Sequence, residues 1–174
     1  GSDYRIGLAN TLGATFTHTE VKRTNREMET VKTDSVKLTW ANRALEWLGF
    51  RANYQYLDLS GSVYNYDPYE FTFSAALPGF VHNDEVIVPH TVEALRKYDV
   101  GTRKEQKFTL IATVMPHPDM SINATVRGDF NDYDAELGRQ KYDTFGFSLS
   151  WDWQPSTQTN LSTFVAMDRS RRDI

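Results

Sequence analysis

Several residues of metal-binding type lie close together in the second half of the chain. They are Asp129, Asn131, Asp132 and Asp134. Calcium prefers carboxylate and amide oxygens, but an EF-hand loop also needs a central glycine and a terminal glutamate, and both are absent here. A solvated loop is therefore favoured, with a calcium site near Asp129–Asp134 kept open as the alternative.

The histidines offer little further metal chemistry. His82 and His90 share a long polar segment with Asp84 and Glu85, but their spacing matches no established zinc motif. His117 lies in a short turn and is expected to be exposed. We interpret these histidines as loop residues and expect no metal site on this chain.

Motifs for catalysis and cofactor binding are missing from the sequence. It contains no Gly-x-Ser-x-Gly elbow and no glycine-rich phosphate loop. It also contains no cysteine, which excludes disulfides, cysteine nucleophiles and thioether attachment of haem to this chain. We therefore expect no catalytic residue, no cofactor on this chain and no enzyme activity.

The bulk properties limit the possible partners and the way in which a membrane could be crossed. The 174 residues are enough for one domain, and the net charge of -4 gives no broad basic surface for nucleic acid. The mean hydropathy is -0.54, and no run approaches the roughly 20 apolar residues of a spanning helix. A membrane strand escapes this limit because only alternate residues face lipid.

A recurring pattern indicates the elements that position these residues. Three times, an alternating apolar and polar stretch meets a short turn and is followed by a second alternating stretch. The turns are expected at 41–44, 116–119 and 154–157, and long polar segments separate the copies. Short turns on one side and long loops on the other are typical of an outer-membrane β-barrel.

The alternation predicts an all-β fold with about seven or eight long strands. The expected fold class is an antiparallel up-and-down transmembrane β-barrel, in which residues 1–174 form a single barrel domain or a segment of a larger barrel. Residues 4–19 are expected to form one strand. Residues 58–104 are expected to form a long external loop with a short strand near 71–75. The only helix-like run is 92–98.

Aromatic residues concentrate near the ends of the predicted strands. Tryptophan and tyrosine favour the membrane interface because the ring is apolar and its polar group stays hydrated. The predicted interface aromatics are Trp40, Trp47, Trp151 and Trp153 near the short turns, and Tyr54, Tyr56, Phe130, Tyr133 and Tyr142 near the long loops. A soluble sandwich would place such residues centrally instead.

The polar face of each predicted strand would line the interior of the barrel. The predicted lumen-facing residues are Lys37, Thr39, Arg51, Asn53, Gln55, Lys107, Thr109, Asn123, Arg127, Asp129 and Asp152. Their charges are mixed in sign, which suits water or a protein surface rather than one small ion.

The amino-acid sequence of the predicted strands resembles that of one family, the MtrB/PioB-type outer-membrane barrels. The similarity covers most of residues 34–168. It is carried by Lys37-Leu38-Thr39-Trp40, by Leu48-Gly49-Phe50-Arg51-Ala52-Asn53-Tyr54, by Arg96-Lys97-Tyr98-Asp99 with Arg103 downstream, by Phe108-Thr109-Leu110-Ile111-Ala112-Thr113, and by Asn131-Asp132-Tyr133.

The resemblance implies the barrel subunit of a porin–cytochrome conduit in the bacterial outer membrane. Such a barrel holds and insulates a multihaem c-type cytochrome in its lumen, so haem is expected on the partner and not on this chain. Outer-membrane lipid is a second partner, a surface cytochrome is a further candidate, and no nucleic acid is expected. Family members are much larger barrels, so we expect the chain to be an excerpt.

Two other functions remain open at this point. The first is a general outer-membrane porin or channel, which the same strands could form. The second belongs to another class, a soluble β-sandwich that acts as a binding module, because alternation alone also fits that fold.

Overall fold

The protein is a single antiparallel sheet with a small second pair of strands. The computed structural model describes residues 1–6, 9–24, 26–65, 92 and 94–174. Its strands are β1 (Ser2–Ile6), β2 (Asn10–Lys22), β3 (Thr30–Leu45), β4 (Leu48–Gly61), β5 (Leu95–Arg96), β6 (Arg103–His117), β7 (Met120–Tyr133), β8 (Leu137–Gly138), β9 (Lys141–Ser156) and β10 (Thr159–Asp173). Within the described ranges no helix is long and apolar enough to cross a membrane.

The order of strands in the sheet follows the order of the chain. The eight strands run β1-β2-β3-β4-β6-β7-β9-β10, each antiparallel to its neighbours, and β1 and β10 form the edges. β5 and β8 form a separate parallel pair. This meander confirms the prediction of an all-β, antiparallel up-and-down sheet with seven or eight strands.

The connections alternate in length, as predicted. On one side, the short connections are 7–9, 46–47, 118–119 and 157–158. On the other side, the longer connections are 23–29, 62–102 and 134–140. We call these the turn side and the loop side of the sheet.

Each of the three predicted turns begins later in the chain than the sequence suggests. β3 continues to Leu45 and β6 continues to His117, through positions predicted to turn. The pairing shifts register between Asn42 and Leu45 and again between Val114 and His117. Pro116 is tolerated inside a strand because bulges leave a residue out of the ladder.

The region 4–19 is two strands rather than one. Tyr4 on β1 pairs with Leu12 on β2, and Ser2 pairs with Ala14. Even-numbered residues thus face the same side on both strands, so alternation alone does not reveal that the chain reverses between Ile6 and Asn10.

The long loop is shorter than predicted at both ends. β4 extends to Gly61 and β6 begins at Arg103, so the connection is 62–102. Residues 95–96, within the helix-like run, belong to strand β5. The short strand expected near 71–75 lies outside the described residues.

Few of the residues that the structure describes are buried, as expected for one layer of sheet. The hydrophobic cluster is formed by Met28, Val31 and Leu59, against which Leu57 and Tyr64 pack. It lies at the loop side, where connection 23–29 folds against the sheet.

Candidate functional site

One face of the sheet is a continuous apolar surface. A single row of the ladder contains Tyr4, Leu12, Trp40, Ala52, Leu110, Val126, Phe147 and Met167. Large side chains on this face are exposed: 38 % for Leu110, 41 % for Phe145 and 57 % for Met167. A soluble sandwich would cover such a face with a second sheet, and the described residues form no such layer. The face is suited to lipid.

A row of charged residues limits the apolar face on the loop side. The row consists of His18, Asp34, Asp58, Lys104, Asp132, Lys141 and Asp173. Neighbours in it are in polar contact: His18 Nδ1 lies 2.6 Å from the Asp34 carboxylate, and Lys141 forms an ion pair with Asp132 at 3.3 Å. Charged side chains are costly among lipid tails but not at the headgroup level, so the apolar band does not extend beyond this charged row on any of these strands.

The edge of the apolar band crosses the ladder obliquely. On β2 the band ends at Phe16, whose row runs across the sheet to Arg171 on β10. On β10 the apolar face already ends at Met167, before Arg169. Strands tilted against the membrane normal would produce this offset, because a plane parallel to the membrane then cuts the rows at an angle.

Most of the predicted interface aromatics lie on the apolar face. Register places Trp40, Tyr54, Tyr56, Phe130, Trp151 and Trp153 there, and Trp47 lies in a short turn. Tyr133 and Tyr142 differ, because they pair with Arg103 and Asn131 and therefore lie on the polar face. Their rings contact Arg139 instead.

The opposite face brings together all eleven predicted lumen-facing residues. One row contains Thr39, Asn53, Thr109 and Arg127, and the next contains Lys37, Gln55, Lys107 and Asp129. Arg51, Asn123 and Asp152 lie on the same face in other rows. That this polar face lines a lumen stays a prediction.

Charges of both signs are interleaved on the polar face. Lys107 lies 2.5 Å from Glu105 and 3.5 Å from Asp129, and Arg127 pairs with Asp168 at 2.7 Å. Neutral contacts fill the gaps, such as the hydrogen bond of 2.9 Å from Thr113 Oγ1 to Asn123 Oδ1. The face thus resembles a hydrated protein surface more than a single-sign ion pathway.

At the loop side, a latch of ion pairs covers the end of this face. Glu27 is only 1 % exposed and binds the ammonium of Lys97. Arg26 next to it donates to Asp99 at 2.7 Å. Connection 23–29 is thereby joined to the segment before β6. Sequence reasoning missed Glu27, because hydrophobic periodicity carries no information about charges in loops.

The candidate calcium residues do not converge. Asp129 and Asn131 lie on the polar face, where the Asn131 amide donates to Asp129 at 2.7 Å. Asp132 points to the other face and pairs with Lys141. In the part of the chain that the structure describes, no group of three His, Asp or Glu side chains could hold a metal. His82 and His90 lie outside the described residues, and His117 lies 3.4 Å from Asp119.

Comparison with known proteins agrees with this geometry. The model of one protein family, described as "Putative outer membrane beta-barrel porin, MtrB/PioB", matches residues 1–174, the whole chain. A search of curated proteins found no match.

Proposed function

Since this chain belongs to the MtrB/PioB family of outer-membrane β-barrel porins, we propose that it forms part of a sheath around a multihaem c-type cytochrome. The sheath would hold the cytochrome in its lumen and insulate it from lipid, so that electrons cross the outer membrane. The chain itself is an all-β protein of the bacterial outer membrane.

The observation that carries the proposal is the difference between the two faces of one sheet. The apolar face is exposed across all eight strands, which suits lipid. The polar face carries interleaved charges, including Lys107 with Asp129 and Arg127 with Asp168. Complementary protein surfaces usually pair charges of both signs, so this face fits a folded protein in the lumen.

The role of the chain in electron transfer is structural under this proposal. With no cysteine it cannot hold a haem through thioethers, so the haems belong to the partner. The sheet would exclude lipid and fix the position of the partner, and no residue of this chain would carry an electron or catalyse a reaction.

The second candidate is a general porin, which the hydrated polar face also allows. The two functions differ in what fills the lumen. A conduit is filled by protein and passes electrons, whereas a porin is filled by water and passes ions.

The experiment isolates the full-length protein from outer membranes in mild detergent and stains the co-purifying proteins for haem. A haem-staining partner is expected with the wild type. Arg51→Glu with Arg127→Glu, on the polar face, should weaken its retention. The control is Lys104→Glu with Arg169→Glu, which makes the same charge change on the other face and should leave retention unchanged.

Ion conductance in planar bilayers completes the test. A conduit lacking its partner should conduct, and the partner should block it. If no haem protein co-purifies from native outer membranes, so that nothing is found that blocks the conductance, the conduit is overturned and the porin is favoured.

A further inference from the structure

Two arginines flank a single tyrosine at the loop side of the polar face. The guanidinium of Arg139 lies 5.1 Å from the centroid of the Tyr142 ring, and that of Arg172 lies 5.3 Å from it. Arg139 also lies 4.3 Å from the ring of Tyr98. Cation–π contacts hold both cations in place without neutralising them.

Neither arginine has an acidic partner among the described residues. Asp99, the acidic side chain among the described residues that line the same cavity, is already bound to Arg26. Bringing two like charges to one ring costs free energy unless an anion lies between or beside them. The geometry thus leaves two sets of guanidinium donors available at one place.

The backbone around these arginines is fixed by strand-like hydrogen bonds. The Gln140 amide donates to the Asp173 carbonyl at 3.0 Å, and the Leu137 amide donates to the Ala94 carbonyl at 3.4 Å. Gly138, with φ of 95°, makes the turn that presents Arg139; a side chain is strained in that conformation. The donors are therefore held in position before any ligand arrives.

A cavity of about 450 Å³ opens beside the two arginines. Its walls include Arg139, Arg172, Leu95 and Tyr98. Apolar wall atoms next to guanidinium groups match an acidic side chain, whose methylenes are apolar and whose end is a carboxylate. Arginine binds a carboxylate through two parallel hydrogen bonds, a geometry that lysine does not offer.

We propose that Arg139 and Arg172 form a docking site for acidic side chains of the protein that occupies the lumen. The site would anchor an acidic segment of that partner where it reaches the loop side of the sheet. This inference rests on the proposed function for the identity of the partner, but the site itself can be tested on the isolated barrel.

The test measures the binding of a fluorescent hexaglutamate peptide to the purified full-length barrel in detergent. Arg139→Gln with Arg172→Gln should weaken the binding about tenfold or more, which corresponds to about 1.4 kcal/mol, because glutamine lacks the charge that strengthens hydrogen bonds to carboxylates. Lys104→Gln with Arg169→Gln removes the same charge from the opposite face and should change the binding less than about twofold. Tyr142→Leu keeps both arginines and should cause an intermediate loss.

The outcomes separate the site from the conduit. If the arginine variant and the Lys104/Arg169 control lost peptide binding equally, the attraction would be unspecific and the proposed site would be overturned. Displacement of the peptide by inorganic phosphate at a lower concentration than by free peptide would assign the site to small anions, which also overturns the proposal. If the peptide binds as expected but no haem protein co-purifies, the docking site stands and the conduit does not.

Discussion

Arg127 on β7 and Asp168 on β10 form an ion pair of 2.7 Å that crosses Gly146 on the strand between them. The three residues share one row of the polar face. A Cβ atom on Gly146 would contact the Asp168 carboxylate and the Arg127 guanidinium. The missing side chain thus creates the path by which charges two strands apart meet.

Gly146→Ala should therefore abolish the coupling between Arg127 and Asp168. Both side chains are more than 60 % exposed, so the pair contributes only about 0.2–1 kcal/mol, and both can swing aside. We expect the free energy of unfolding of Gly146→Ala to change by under about 1 kcal/mol. Double-mutant cycles with Arg127→Gln and Asp168→Asn, in both backgrounds, measure the coupling. A coupling of the same size in the Gly146→Ala background would contradict this account.

Leu110 and Thr109 are neighbours on β6 that should respond to the same substitution with losses of very different size. Leu110 lies in the middle of the apolar band and Thr109 on the polar face. Leu110→Arg should destabilise the barrel by about 2–4 kcal/mol in lipid, whereas Thr109→Arg should cost much less because the guanidinium stays hydrated. Denaturant titration in lipid vesicles compares the two. Similar losses of stability in the two variants would mean that the two faces do not differ in their contact with lipid and water.

The alternation of side chains made much of this structure predictable. The assignment of Lys107, Thr109 and Arg127 to one face follows from the period of two alone, and the register confirms that they share a face. Alternation does not report where a strand reverses when parity is conserved, which is why the turn between Tyr4 and Leu12 was missed. Bulges near each short turn likewise shifted the turns.

Contacts made by loops could not be predicted from the sequence. Tyr133 and Tyr142 were assigned to the membrane interface from their position near strand ends, but the register gives them the other face, where Arg139 contacts both rings. Buried Glu27 gave no periodic signal at all. Such contacts depend on which loops meet in space, and one sequence does not encode that as a local pattern.

Trp40 and Asn53 offer a spectroscopic test of which face meets lipid. They lie on neighbouring strands but on opposite faces. In vesicles, a variant that keeps only Trp40 should be quenched by nitroxide-labelled lipid. In a background without tryptophan, Asn53→Trp should respond to aqueous acrylamide and hardly to the lipid quencher. Equal lipid quenching at both positions would contradict the assignment of the polar face to the lumen.

The latch at the loop side should respond more to the loss of its cation than to the loss of its anion. Lys97→Met leaves the carboxylate of Glu27 buried without its closest cation, which costs about 1–3 kcal/mol or more. Glu27→Gln removes the buried charge itself, and the Lys97 ammonium, which is 41 % exposed, keeps its contact with water. The Asn65 amide, which donates to the Glu27 carbonyl at 2.7 Å, reports the opening through its hydrogen exchange.

Asp99→Asn is the matched control, since Asp99 belongs to the same latch but is 49 % exposed. Exposed pairs contribute little, so the exchange rate of the Asn65 amide should rise only slightly in this variant. We expect the order Lys97→Met, Glu27→Gln, Asp99→Asn from fastest to slowest exchange. If Asp99→Asn gave the fastest exchange, the latch would depend on its exposed pair, and burial of Glu27 would not be what holds connection 23–29 against the sheet.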